Sequence, residues 1–109
     1  MAVTSTQSTE SGVCNIAVGR YITSDTAAAF TITTGFKPRY VKVVNLAATG
    51  GSLEWFEGMA DASALKRVTA GDFTLITTLG ITVAEGGFTV GLDADINVIN
   101  EQLSWIAFG

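Results

Sequence analysis

The sequence predicts an all-β fold: an antiparallel β-sandwich, jelly-roll-like, with a partly open β-barrel as the alternative. Three observations support this prediction. Apolar and polar residues alternate with period two in short segments. Glycine-containing turns separate these segments at intervals of roughly ten residues. No segment has helical character over more than about one turn, which is too short to define the fold class.

Nine segments are predicted as strands, and residues 58–64 are predicted as a loop with at most one helical turn. Pro38 opens the third strand, where a proline removes no hydrogen-bond donor from the sheet interior. The turn at residues 49–51 contains two glycines and predicts that the third and fourth strands form a hairpin. The predicted strands span residues 15–23, 28–34, 39–46, 52–57, 65–69, 72–78, 81–84, 88–90 and 103–108.

A chain of 109 residues predicts one domain. Residues 1–14 are rich in Ser and Thr without periodicity and are predicted to form an extended N-terminal arm, followed by a β-sandwich domain at residues 15–109. The arm is interpreted either as a segment that becomes ordered on a partner or as a plain tail. Its candidate partner-binding residues are Ala2, Val3, Thr4, Ser5 and Thr6.

The composition excludes several classes of function. A net charge of -4 with scattered Lys and Arg argues against nucleic acid and anionic membranes as partners. The absence of His removes the Ser-His-Asp triad and most zinc and haem sites, and the single cysteine, Cys14, cannot form an internal disulfide. No signal peptide or membrane-spanning run is apparent, which predicts synthesis in the cytoplasm. Only 15% of residues are charged, which favours a surface partly covered by other subunits.

The segment SLEWFEGM, residues 52–59, combines two carboxylates with two aromatic residues. In a strand Glu54 and Phe56 share one face, while Trp55 and Glu57 share the other. A glycosidase needs two carboxyl groups converging at roughly 5 to 9.5 Å, so catalysis by this pair is disfavoured and no catalytic residue is assigned. One aromatic residue is expected in the core and the other at an interface, and Trp55 is the candidate for binding a partner or, alternatively, a glycan.

Two further segments have weaker ligand-binding patterns. Asp93, Asp95 and Asn97 resemble the opening of a calcium loop, but the required Gly and Glu positions hold Val98 and Ser104. These residues are therefore predicted to fix turns, and no metal or cofactor is expected; a looser calcium site built from carbonyl oxygens is the less favoured alternative. In GFKPRYVKVVN, residues 35–45, the basic side chains are predicted to pair with acidic groups of the same protein or of a partner.

Three motifs resemble a pattern in small β-rich virion structural proteins of tailed bacteriophages, of the capsid decoration or cement type. They are GFKPRYVKVVNL, LEWFEGM after a turn, and GFTVGLDADINVINEQLSWIAFG, in that order, within residues 35–109. The resemblance implies a compact β-fold used as a building block of the particle, without catalytic residues.

We therefore expect a head decoration protein that binds the major capsid protein and itself, as a homotrimer, and stabilises the shell. Burial of apolar surface across several subunits would supply the affinity. Its location would be the virion, after synthesis in the host bacterial cytoplasm. The alternative is a tail-tip or fibre module that binds a glycan through Trp55, Tyr21 or Tyr40.

Overall fold

The computed structural model describes residues 15–23, 28–47, 50–68 and 71–109. The predicted arm, residues 1–14, lies outside these ranges. The described residues contain eight β-strands and no helix. In chain order the strands are Ile16–Ile22 (β1), Phe30–Thr33 (β2), Tyr40–Asn45 (β3), Ser52–Phe56 (β4), Ser63–Arg67 (β5), Phe73–Ala84 (β6), Gly87–Val90 (β7) and Gln102–Phe108 (β8).

All eight strands belong to one antiparallel sheet in the order β1-β8-β3-β4-β5-β6-β7-β2. The sheet curls into a half-barrel, which confirms the all-β prediction and is consistent with a β-sandwich or a partly open barrel. β3 and β4 form the predicted hairpin, with Val41 opposite Trp55. The two edge strands, β1 and β2, approach each other through stacked rings, since the centroids of Tyr21 and Phe30 are 4.0 Å apart.

The predicted strands at residues 72–78 and 81–84 form a single strand, β6. The expected break occurs as an irregularity within that strand, where Leu79 has a φ of 62°. The pairing with β5 shifts at the same place, because Ser63 lies opposite Ile81 whereas Ala64 lies opposite Ile76. A Cβ atom on Gly80 would lie 2.6 Å from the Ser63 carbonyl. The close approach of the two backbones at this irregularity therefore requires glycine.

The inner side of the half-barrel holds the hydrophobic core, as the period-two alternation predicts. Side chains from β2, β3, β4, β5, β6, β7 and β8 meet there, together with Ile96 from the segment that precedes β8. The buried apolar residues are Phe30, Val41, Val43, Leu53, Trp55, Ala64, Ile81, Phe88, Val90, Ile96, Leu103 and Ala107.

The segment between β7 and β8 is tied to the sheet by buried polar side chains. The Asn45 amide donates to the Ile96 carbonyl oxygen at 2.9 Å and to the Glu101 carboxylate at 3.0 Å. The Glu101 backbone N–H donates to the Thr23 hydroxyl at 2.9 Å. These bonds fix the segment against the ends of β1 and β3, where Ile96 can enter the core.

Candidate interaction surface

The outer side of the half-barrel divides into two halves of different chemistry. On β2, β7 and the second half of β6, the outward positions are mainly threonines, and the hydroxyls of Thr31 and Thr89 are 2.9 Å apart. Small hydroxyl side chains are typical of a strand face in contact with water. We call this half the threonine face, and its residues are Thr31, Thr33, Thr82 and Thr89.

The other half, across β1, β8, β3, β4, β5 and the start of β6, is apolar on its outward side. Six of its apolar side chains are between 44% and 68% exposed, and the others are partly exposed. We call it the apolar face. Its residues are Ile16, Val18, Ile22, Tyr40, Phe56, Leu65, Phe73, Leu75, Ile106 and Phe108. The inward positions of β3, β4 and β8 hold core residues, so these three strands carry apolar residues on both sides.

Strand register brings three aromatic residues of the apolar face, Tyr40, Phe56 and Phe108, into one row with Ile16. Ile16 lies opposite Phe108, Phe108 opposite Tyr40, and Tyr40 opposite Phe56. The Tyr40 ring is 5.2 Å from Phe56 in an edge-on arrangement and 5.7 Å from Phe108. Such ring pairs stabilise one another beyond the area they bury. The row is therefore an ordered surface that crosses four strands.

Tyr40 also anchors the one acidic strand residue on this face. Its hydroxyl donates to the Glu54 carboxylate at 2.7 Å. Burial raises the pKa of the Tyr40 hydroxyl to about 12, with further contributions from the hydrogen bond to Glu54 and its negative charge. Lys42 lies directly opposite Glu54 in the register. Arg20 and Arg67, both exposed, add two cations to the same face, which is therefore basic within an acidic protein.

Trp55, the aromatic residue predicted to bind a partner, points to the opposite side. Its side chain is 5% exposed within the core, and its Nε1–H donates to the Ala60 carbonyl oxygen at 3.3 Å. The outward aromatic residue of the SLEWFEGM segment is Phe56, at 44% exposure. Burial of Trp55 corrects the assignment, because a side chain inside the core cannot anchor a partner. The other predicted partner-binding residues, Ala2, Val3, Thr4, Ser5 and Thr6, lie outside the described residues.

Glu54 and Glu57 do not converge. Glu54 lies on the outer side of β4, where Tyr40 holds it, whereas Glu57 follows the end of the strand. The Glu57 carboxylate pairs with the Arg39 guanidinium at 3.6 Å, as the sequence predicted for the basic residues of this segment. Both groups are substantially exposed, so this pair contributes little to stability.

The residues of the calcium-like pattern fix a turn, as predicted. Asp93 accepts a hydrogen bond from the Asp95 backbone N–H at 2.9 Å, and the Asn97 amide donates to the carbonyl oxygens of Ala28 and Gly91 at 2.8 and 3.1 Å. The Lys66 ammonium lies 3.0 Å from Asp93 and 2.6 Å from Asp95. Within the described ranges, no group of three or more metal-ligating side chains is present.

Lys66 is held in a mostly buried position by these carboxylates. Burial lowers the pKa of its ammonium group, but hydrogen bonds and electrostatic attraction from Asp95 and Asp93 outweigh this effect. The pKa of Lys66 therefore lies above its ordinary value of 10.5. The ammonium group binds the turn of the β7–β8 segment to β5.

An open cleft of about 710 Å³ lies where the start of β1 and the end of β8 meet. Its lining combines polar and charged residues, including Arg39 and Glu57, with apolar residues, including Phe36, Met59 and Trp55. Because Trp55 is 5% exposed, its ring has no open face on which a sugar could stack. The Tyr21 ring is likewise covered on one side by Phe30, at an interplanar angle of 6°.

Phe56, Phe108 and the apolar residues of β1 are surface residues that the sequence pattern did not identify. A signal was available in β8, where Leu103 and Ala107 alternate with Ile106 and Phe108. Apolar residues on both sides of a strand are typical of strands with both faces covered. Register, which brings these side chains from six strands to one surface, is visible only in the structure.

Searches of protein-family models, curated proteins and solved structures find no match to this chain. Among the described residues, no helix is long and apolar enough to cross a membrane.

Proposed function

We propose that the protein is a structural component of a tailed-bacteriophage virion, a head decoration protein that binds the outer surface of the capsid and stabilises the shell. The observation that carries this proposal is the apolar face. Six of its apolar side chains are 44% to 68% exposed on a chain with a net charge of -4. Contiguous apolar surface of this kind marks a site of contact with another macromolecule.

The chemistry of the face supports protein as the partner. Aromatic and aliphatic side chains around Tyr40 and Phe56 are typical anchors of protein–protein contacts. Covering apolar surface is favourable by about 25 cal/mol per Å². The cations Arg20, Lys42 and Arg67 favour a partner whose surface is apolar with a rim of carboxylates. In this proposal the major capsid protein supplies that surface.

Repetition of the contact over a particle would compensate for modest affinity at each site. A decoration protein that self-associates and touches several capsid subunits gains effective concentration at every contact after the first. Any molecule that binds only the assembled shell stabilises it by mass action. The protein would be made in the bacterial cytoplasm and would act in the virion, with neither catalysis nor a cofactor.

The test is genetic removal of the protein followed by heating of the particles. Particles without it should release their DNA at a lower temperature than complete particles. Adding purified protein back should restore the original temperature, which separates a role in the mature shell from a role during assembly. Equal heat resistance of both kinds of particle would contradict the proposal.

Glycan binding is the alternative, and it receives less support because the rings of Trp55 and Tyr21 are covered. Titration of tryptophan fluorescence with host polysaccharide tests it directly. Saturable quenching that is lost in Tyr40→Ala would favour a glycan-binding module over a decoration protein.

A further inference from the structure

Strand β1 is an edge strand with one free side among the described residues. At its two ends, the Gly109 backbone N–H donates to the Asn15 backbone carbonyl oxygen at 2.9 Å, and the Thr23 backbone N–H donates to the Glu101 backbone carbonyl oxygen at 3.0 Å. Because hydrogen-bonded and non-bonded positions alternate in an antiparallel pair, odd-numbered residues of β1 bond to β8. The backbone groups of the even-numbered residues, Ile16 to Ile22, therefore point away from the sheet.

This edge has few of the features that protect edge strands from pairing. The strand IAVGRYI contains neither proline nor lysine, and Arg20 is its one charged residue. Its outward side chains Ile16, Val18 and Ile22 are 56%, 68% and 65% exposed, among the most exposed apolar residues described. The opposite edge, β2, has only four residues, with Thr31 and Thr33 outward. The seven-residue β1 is therefore the edge better suited to accept another strand.

We propose that β1 pairs with β1 of a second copy of this chain, antiparallel, around a two-fold axis at Gly19. In this register Ile16 faces Ile22 of the second copy, and Val18 faces its Arg20. These are even-numbered positions, so their free N–H and C=O groups form the new ladder. The apolar pairs add cross-strand contacts on the outer side.

Neighbouring registers are less favourable. An axis at Arg20 places the two guanidinium groups directly opposite each other, which is destabilising. An axis at Val18 leaves Ile22 without a partner in β1 of the second copy. The register centred on Gly19 uses all four free positions and opposes no like charges. The strand is thus self-complementary, as an isologous contact requires.

Pairing of this kind joins two sheets edge to edge and places both apolar faces on the same side. If the apolar face binds the capsid as proposed, the pair presents a doubled docking surface, and only this consequence rests on the proposed function. The pairing itself requires no capsid. An isologous pair also differs from the homotrimer predicted from the sequence, so the mass of the assembly distinguishes the two.

The test is sedimentation equilibrium of the full-length protein over a range of concentrations, without particles. The pairing predicts a reversible monomer–dimer equilibrium. Val18→Lys places an ammonium opposite Arg20 of the second copy and should weaken the dimer at least about tenfold. Val18→Glu places a carboxylate there and should dimerise more strongly than Val18→Lys. Thr33→Lys, on the β2 edge, is the matched control and should dimerise like the unaltered chain.

Three results would overturn the proposal. The first is a protein that stays monomeric at all concentrations, and the second is a trimer. The third is equal weakening of the dimer by Val18→Lys and Val18→Glu, which would indicate general apolar association instead of pairing in this register. Hydrogen exchange of the unaltered protein gives a second measurement. Amides of Val18 and Arg20 should exchange more slowly as concentration rises, whereas that of Thr33 should not change. Concentration-independent exchange at Val18 and Arg20 would also exclude the pairing.

Discussion

Trp55 and Phe56 are consecutive residues of β4 whose side chains lie on opposite sides of the sheet. Trp55 is 5% exposed in the core, and Phe56 is 44% exposed in the aromatic row of the apolar face. One residue therefore contributes to the stability of the domain, and its neighbour contributes to the surface available to a partner. The two roles can be separated by substitution.

Trp55→Ala should destabilise the protein by about 3 to 5 kcal/mol, because it removes a large buried side chain and leaves a cavity. Phe56→Ala should change the free energy of unfolding by less than about 1 kcal/mol, because the side chain is partly in water. Chemical denaturation of both variants measures the difference. Similar losses of stability would contradict the assignment of the two faces.

Lys66→Met should destabilise the protein by about 1 to 3 kcal/mol, because it leaves the mostly buried Asp93 carboxylate without its cation. The contact with Asp95 is shorter, at 2.6 Å, but Asp95 is half exposed and contributes less. Lys37→Met removes an exposed lysine and is the control. Equal stability of the two variants, measured by urea denaturation, would show that the Lys66 contacts do not hold the turn.

The same ion pairs predict how stability varies at alkaline pH. The folded-state pKa of Lys66 is raised above 10.5, so its contribution is complete below pH 10.5 and is lost as the pH rises through the folded-state pKa. The free energy of unfolding should therefore fall in alkaline solution. Lys66→Met should show a smaller fall over that range than the unaltered chain. An identical alkaline dependence would contradict this prediction.

Tyr40 should titrate near pH 12 in the folded protein. The sequence has two tyrosines, so a Tyr21→Phe background isolates its phenolate absorbance. Adding Glu54→Gln removes the carboxylate and should lower the Tyr40 pKa only in part, because burial is the larger cause of the shift. A full return to the ordinary value of 10.0 would show that the carboxylate, and not burial, dominates.

Deletion of residues 1–11 tests the predicted arm, which the structure does not describe. Thermal unfolding of the shortened chain should match that of the full chain, because all the buried core residues among those described lie between residues 30 and 107. If the arm is an anchor, binding to particles should fall sharply. Unchanged binding would mean that the arm does not contribute to binding of the particle.

Much of the fold is predictable from local patterns. Alternation in segments such as residues 39–46 indicates strands, and the glycines of residues 49–51 indicate the hairpin that β3 and β4 form. The irregularity at Leu79 is not predictable in this way, because a Leu-Gly pair can end a strand or distort one. Which of the two occurs depends on how β5 and β7 pair with the two halves of β6.

The candidate surface is harder to predict because it depends on register between strands that are distant in the chain. Alternation places Trp55 and Phe56 on opposite sides but does not say which side is the core. That choice follows from the neighbours of each residue: Val41 and Ala107 lie in the Trp55 row, whereas Tyr40 and Phe108 lie in the Phe56 row. Both rows are apolar, so composition alone cannot decide between them.

The most direct test of shell binding through the apolar face is the binding of purified protein to particles that lack it. Phe56→Asp places a charge in the aromatic row, and Thr33→Asp places the same charge on the threonine face as the matched control. The unaltered protein and Thr33→Asp should both bind saturably, whereas Phe56→Asp should bind at least about tenfold more weakly. Equal binding by all three proteins, or no saturable binding by any of them, would contradict the proposed role of this face.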